Sequence, residues 1–381
     1  MNRRFFLQTA ATVLGTQWLS TAKPSWTHPL FMAMVDPALE AAIPLSDRAA
    51  AKGLLYGAAS TARKMQQDAA FASAVARECN LFVPENDLKW KALRPSPEQF
   101  DFTRGDWLAA FAQAHGMQFR GHTCVWHEAL PEWFDQVVTH QNAEQVLTEH
   151  IRTVVGHYAG QMHSWDVVNE AIDPVGQGAD GLRDTPWKRL LGADYIDIAF
   201  HTAAAADPNA LLVLNEYDLD YDIPRDAAKR EAILRLLRAL VARGVPVHAL
   251  GMQAHLRAAE TDFDPVVLRD FLRQVADLGL KIMVTELDVV DQDLPRALHP
   301  RDLAVAHTYQ SYLDAVLQEP AVIAVLTWGL SDRYTWLTNF RPRSDGAAPR
   351  PLPLDSLLHR KPAWSAIASA FDQAPSRLIS N

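Results

Sequence analysis

Eight short apolar runs, each followed by a stretch with helical spacing, restrict the fold of this chain more than any other feature. The runs are Leu54–Ser60, Leu81–Glu85, Gln118–Trp126, Ser164–Glu170, Leu211–Tyr217, His248–His255, Lys281–Val289 and Val322–Leu330. Most are almost continuously hydrophobic, as strands covered on both faces must be. The stretches between them, such as Arg225–Arg243 and Pro265–Leu278, repeat apolar residues three and four apart. Eight such alternations predict an α/β fold, a (β/α)8 TIM barrel rather than an open sheet. No Pro/Gly/Ser-rich linker divides the chain after residue 40 and no internal repeat is visible. A single catalytic domain is therefore expected over residues 36–375.

The ends of these runs carry residues that a packed strand disfavours: Glu85-Asn86, His122 to Trp126, Asn169-Glu170, Asn215-Glu216-Tyr217, Gln253 to His255, Glu286 to Asp288, and Trp328. In a barrel all these carboxyl ends meet on one rim, where catalytic groups sit. One strand-end glutamate is ordinarily a solvated loop residue. Seven ends of the same polar and aromatic chemistry are not explained that way.

Two carboxylates stand out. Glu170 closes the fourth run and Glu286 lies near the end of the seventh, so in an eight-strand ring they face each other across a narrow mouth. Such a pair suits cleavage of a glycosidic bond, with one acid protonating the leaving oxygen and the other carboxylate attacking the sugar or activating water. Asn169 adjoins Glu170 and is placed to bind a sugar 2-hydroxyl. His255 on the neighbouring strand is expected to donate to Glu286 and keep it ionised. Asp288 would accept from the other imidazole nitrogen and fix the ring.

These strings resemble glycoside hydrolase family 10, the retaining endo-1,4-β-xylanases, from about residue 50 to 370. PENDLKW (84–90), RGHTCVWHEALPEWF (120–134), WDVVNEA (165–171), GLRDTPW (181–187), VTELDV (284–289), TWGLSDRYTWL (327–337) and KPAW (361–364) carry the likeness. The resemblance implies Glu170 as acid/base and Glu286 as nucleophile. It implies that Glu85, Asn86 and Lys89 bind xylose units on the non-reducing side. His122, Trp126, Gln253, Trp328 and Trp336 would line the sugar being cleaved, with Tyr217 toward the leaving group. It further implies a monomer acting on xylan and xylo-oligosaccharides without metal or cofactor. Another barrel β-1,4-glycanase and a xylan-binding protein that has lost turnover are the alternatives. The chain departs from the family pattern at Leu88, Glu216 and Ala254, and in an Arg- and Pro-rich stretch, 339–355. These departures bear on the aglycone side and on which substituents a substrate can carry.

Composition narrows the partners. Thirty-six Lys and Arg against 45 Asp and Glu give a formal charge of −9, which disfavours nucleic acid. No run of 18 apolar residues is present to span a membrane. Eleven Trp favour ligand contact, indole faces stacking on the C–H faces of sugars. Trp107, Trp165 and Trp364 are expected instead to fill the core. Arg3-Arg4 followed by Phe5-Phe6-Leu7 and a weak apolar stretch resembles a twin-arginine export signal, so residues 1–35 are expected to be a leader and the protein periplasmic or secreted. Three other patterns fail on inspection. Gly176-to-Gly181 has dinucleotide-loop spacing but opens no apolar helix. Asp218-Leu-Asp220-Tyr-Asp222 lacks the glycine and terminal acid of a calcium loop. Cys79 and Cys124 lie near opposite ends of neighbouring strands, awkward for a disulfide.

Overall fold

A computed structural model of the protein describes residues 43–174 and 180–377. The expected leader, residues 1–35, lies outside them, as do Gly176 and Gly178 of the glycine-spaced string.

The strands are β1 Leu55–Ser60, β2 Leu81–Pro84, β3 Gln118–Val125, β4 Met162–Asn169, β5 Leu211–Glu216, β6 Ala249–Met252, β7 His255–Arg257, β8 Lys281–Val290 and β9 Val322–Thr327. Every pairing is parallel. The order runs β6-β5-β4-β3-β2-β1-β9-β8, and β8 closes the ring on β6. This is the predicted (β/α)8 barrel, with one correction. The sixth run is not one continuous strand over His248–His255. It breaks at Gln253-Ala254, where Ala254 takes a left-handed φ of 60°, and resumes as β7 against β8.

Helices cover the outside, and their starts follow local chemistry. Asp264 accepts from the amides of Val266 and Val267 ahead of Pro265–Ala276, with Pro265 in the first turn. Thr185 caps Pro186–Leu191 in the same manner. Most of the core lies between strands and helices, and a smaller apolar set (Leu81, Val83, Val213, Met283 and Leu326 among them) fills the barrel interior. Trp165 and Trp364 are fully buried, as expected. Trp107 is not: it is half-buried on the outer helix Thr103–Ala114, stacked on Phe111. Both cysteines are free and buried.

The strand termini set up the rim. Glu85, Trp126, Glu170, Tyr217, Gln253 and Trp328 are each the first residue beyond the end of a strand. Once the ladder stops, the side chain that follows turns over the mouth of the barrel. Glu286 differs, since it stands inside β8.

Candidate active site

Glu286 is held by donors on both carboxylate oxygens. Asn215 Nδ2 donates to Oε1 at 2.8 Å, and His255 Nε2 lies 3.4 Å from Oε2. His255 Nδ1 is 2.9 Å from Asp288 Oδ1, and Trp336 Nε1 donates to the other Asp288 oxygen at 2.7 Å. The chain Trp336–Asp288–His255–Glu286 thus fixes the imidazole through both ring nitrogens. Burial alone would push the Glu286 carboxyl up. The His255 hydrogen bond and the charges of His122, His255 and Lys89 overcome that and hold it at about 2. Burial disfavours the His255 cation, yet Asp288 and Glu286 together raise it to about 10. The pair is an ionised carboxylate against an imidazolium.

Glu170 is held differently. It follows β4 with a left-handed φ of 59°, a conformation rare for a non-glycine residue. Its amide donates to Asn215 O at 2.9 Å, and Arg183 Nε donates to its carbonyl at 2.9 Å. The carboxylate receives Gln253 Nε2 at 3.0 Å and Asn169 Nδ2 at 3.2 Å, both on Oε1. The two acids are joined through amides, because Asn215 Nδ2 also donates to Asn169 Oδ1 at 2.8 Å.

Around this centre the sequence-predicted residues form two walls. On one, Lys89 Nζ donates to Asn86 at 3.0 Å and stands 4.7 Å from the Trp126 ring centroid. His122 packs edge-on to Trp328 at 5.3 Å, and its Nδ1 is 2.9 Å from Asp166. Asp166 is itself paired with the buried Arg120 inside the barrel. Burial pulls the Lys89 ammonium down, opposed by Glu286, Glu85 and Glu170. Glu85 is further out, ion-paired to Lys64. On the opposite wall, the Tyr217 hydroxyl accepts from Arg183 Nη2 at 2.6 Å, and Lys229 Nζ sits 3.3 Å over its ring. The buried Glu216 accepts from Lys229 Nζ and from the amide of Ile172, tying this wall to the segment after Glu170.

Sequence reasoning missed four contributors. Asn215 was visible as a polar strand end but carried no assigned role. Thr285, which donates to Asn215 Oδ1 at 2.7 Å, has no signal of its own. Asp166 and Arg183 showed only as charged residues inside a strand and a loop string. Among the described residues, no group of three or more His, Cys, Asp or Glu side chains is arranged to hold a metal ion.

Known proteins resemble this chain over most of its length. The profile of glycosyl hydrolase family 10 matches residues 44–370. Endo-1,4-beta-xylanase 5 of Pyricularia oryzae is 34% identical over 337 residues, spanning 87% of this chain and 79% of that protein. Endo-1,4-beta-xylanase B of Paenibacillus barcinonensis is 35% identical over 314 residues, 79% of this chain and 91% of that one. Xylanase 10B of Thermotoga petrophila RKU-1, solved with xylobiose, superposes with a TM-score of 0.79 at 30% identity, covering 87% of this chain and 98% of that one. With the barrel, the paired glutamates and a profile match over most of its length, this chain is a glycosidase and belongs to glycosyl hydrolase family 10.

Proposed function

We propose that the protein is a retaining endo-1,4-β-xylanase that cleaves internal bonds of xylan and xylo-oligosaccharides. Glu170 is the acid/base and Glu286 the nucleophile. The observation that carries this reading is the unequal treatment of the two acids. Glu286 is buried and held ionised by His255, while among the described residues the Glu170 carboxylate takes its hydrogen bonds from neutral amides. In the first step Glu286 Oε attacks the anomeric carbon as that carbon's bond to the leaving oxygen breaks, and Glu170 gives its proton to that oxygen. The product is a glycosyl ester on Glu286. Water then attacks the same carbon, Glu170 takes its proton, and the Glu286 carboxylate is released. Asn169 would bind the 2-hydroxyl. His122, Trp126, Gln253, Trp328 and Trp336 would line the cleaved sugar, Glu85, Asn86 and Lys89 the units beyond it, and Tyr217 the leaving-group side. The xylanase names of the relatives and the xylobiose complex support xylan as substrate.

The test is product analysis on xylan and cellulose, with the anomeric form of the first product followed by proton NMR. Fresh β-anomer with xylan preferred is expected, and Glu286→Ala should be inactive. Initial α-anomer would overturn retention, and a cellulose preference would overturn the substrate. The proposed arrangement has a leader (1–35), a catalytic domain (36–375) and a monomeric exported enzyme. Replacing Arg3-Arg4 with Lys-Lys should then hold activity in the cytoplasm, and light scattering should give a single chain's mass.

A further inference from the structure

The Arg- and Pro-rich stretch 339–355, which departs from the family pattern, helps to build a cavity of about 310 Å³. Its lining includes Arg296, Arg301, Arg350, Asp332, Leu298 and Ser356. The acids around it already have cations of their own. Arg350 grips Asp302 through two bonds of 2.7 and 2.8 Å, Lys361 holds Asp332 at 2.7 Å, and Arg343 holds Asp345 at 2.7 Å. Two cations remain under-used. Arg301 is 1% exposed and paired in charge with Asp291, and its Nη2 donates to Ala348 O at 3.3 Å, but among the described residues its Nη1 and Nε have no hydrogen-bond acceptor, Nε lying 3.2 Å from Asp291 out of line for one. Burial draws the Arg301 guanidinium down; Asp291 opposes this, and the charges of Arg343 and Arg350 add to it. Among the described residues the exposed Arg296, which also lines the cavity, has no ion pair or hydrogen bond, and Asp345 feels its charge from a distance. The cavity also meets the first turn of the 19-residue helix Leu298–Val316, which has no side-chain cap and so presents the positive end of its dipole.

Its place in the fold links it to the catalytic rim. Asp291, at the arginine cluster, follows Asp288 of the His255 pair by three residues, at most about 10 Å of chain. Asp332 precedes the Trp336 that bonds Asp288 by four residues. The cavity is thus built from the segments that directly follow or precede Asp288 and Trp336. We propose that this cavity is a binding site for the carboxylate of a hexuronic-acid branch on the substrate chain. Arg296 and Arg301 meet the carboxylate, with Leu298 against the sugar's C–H surface and Ser356 available to a hydroxyl. The assignment rests on the xylanase reading, since an acidic branch must be carried by a neutral backbone held in the cleft.

The test compares three substrates with the full-length protein: a glucuronoxylan, the same polymer with its carboxyls reduced to alcohols, and unbranched xylohexaose. Wild type should cleave the native polymer about fivefold more efficiently, in kcat/KM, than the reduced one. Arg296→Glu and Arg301→Gln should erase that preference while leaving xylohexaose within about twofold. If the buried Arg301→Gln fails to fold, the exposed Arg296→Glu decides alone. Equal rates on native and reduced polymer in wild type, or a preference that survives Arg296→Glu, would overturn the site. So would loss of the preference in inorganic phosphate as readily as in glucuronate at equal ionic strength. Failure to cleave xylohexaose would instead overturn the xylanase reading itself.

Discussion

The two glutamates at the rim are held in opposite ways. Glu286 sits within a strand, buried, with hydrogen-bond and ion-pair partners on both oxygens. Glu170 sits one residue past a strand, on a left-handed backbone, with its amide donors among the described residues both on Oε1. Under the proposed mechanism, this difference suits a division of labour between the two acids. A nucleophile must stay ionised and aimed, so rigid placement among donors suits it. An acid/base must release and recover a proton each cycle, which a full ring of cationic donors would prevent. What Glu170 requires rigidly is its backbone, and Arg183 and Asn215 hold that.

The sharpest way to break the comparison is at Asn215, whose side chain is bonded to Glu286 and, through Asn169, to the Glu170 side. Asn215→Ala should lower kcat on xylan by about 10²–10³-fold, the effect of losing a preorganised donor. Gly251→Ala should reproduce much of this from a neighbouring strand. A Cβ there would lie 2.2 Å from Asn215 Oδ1 and 3.1 Å from Thr285 Cγ2, so the amide must move. Steady-state kinetics beside thermal melts separates the site effect from the overpacking cost, about 1–3 kcal/mol. Loss of stability with kcat intact in Gly251→Ala would show that Asn215 is not a shared support.

His255→Ala should come next, at about 10²-fold or less, and with a different signature. Without the imidazolium, Glu286 loses its leading source of stabilisation as an anion and rises from about 2 toward the ordinary carboxylate range. The acid limb of kcat/KM then moves to higher pH, because the nucleophile protonates sooner. Stability follows the same linkage in wild type. Glu286, depressed on folding, contributes above its ordinary value, and that contribution is lost as pH falls through about 2. His255, raised on folding, contributes below its ordinary value, and that is lost as pH rises through about 10. An unchanged acid limb in the variant would mean that His255 does not set the charge of Glu286.

The same contrast explains what the sequence disclosed. The barrel was legible because most strands are near-continuous apolar runs, and Glu286, His255 and Asp288 were legible because strand ends carry the polar residues and strand alternation sends residues two apart to one face. The break at Gln253-Ala254 was not, since nothing in GMQAHL announces a left-handed alanine. Asn215 was seen as a polar end but not as the bridge, because bridging depends on Gly251 leaving space beside it. The supports of Glu170 come from a loop residue, Arg183, whose reach across 13 positions no spacing rule encodes. Trp107 illustrates the limit from the other side: it was expected to fill the core, and its helix leaves it half-buried against the core's edge.

Arg183→Lys should have the smallest effect of these four variants and is the most selective probe of the acid side. The guanidinium bonds three acceptors at once: Glu170 O at 2.9 Å, Ile172 O at 3.1 Å and the Tyr217 hydroxyl at 2.6 Å. Lysine keeps the charge but not the planar fork, so only one or two of these survive. A left-handed glutamate costs about 1–3 kcal/mol and persists only while its surroundings hold it. Loosening its carbonyl lets the Glu170 carboxyl drift from the leaving oxygen while Glu286 stays in place. The expected loss in kcat/KM on xylan is therefore about tenfold, the sugar leaving group needing its proton. An aryl xylobioside with a strongly acidic phenol needs none, and its kcat/KM should stay within about twofold. Equal losses on both substrates would mean that Arg183 supports the fold of this wall rather than the acid, and the two glutamates would then share one scaffold.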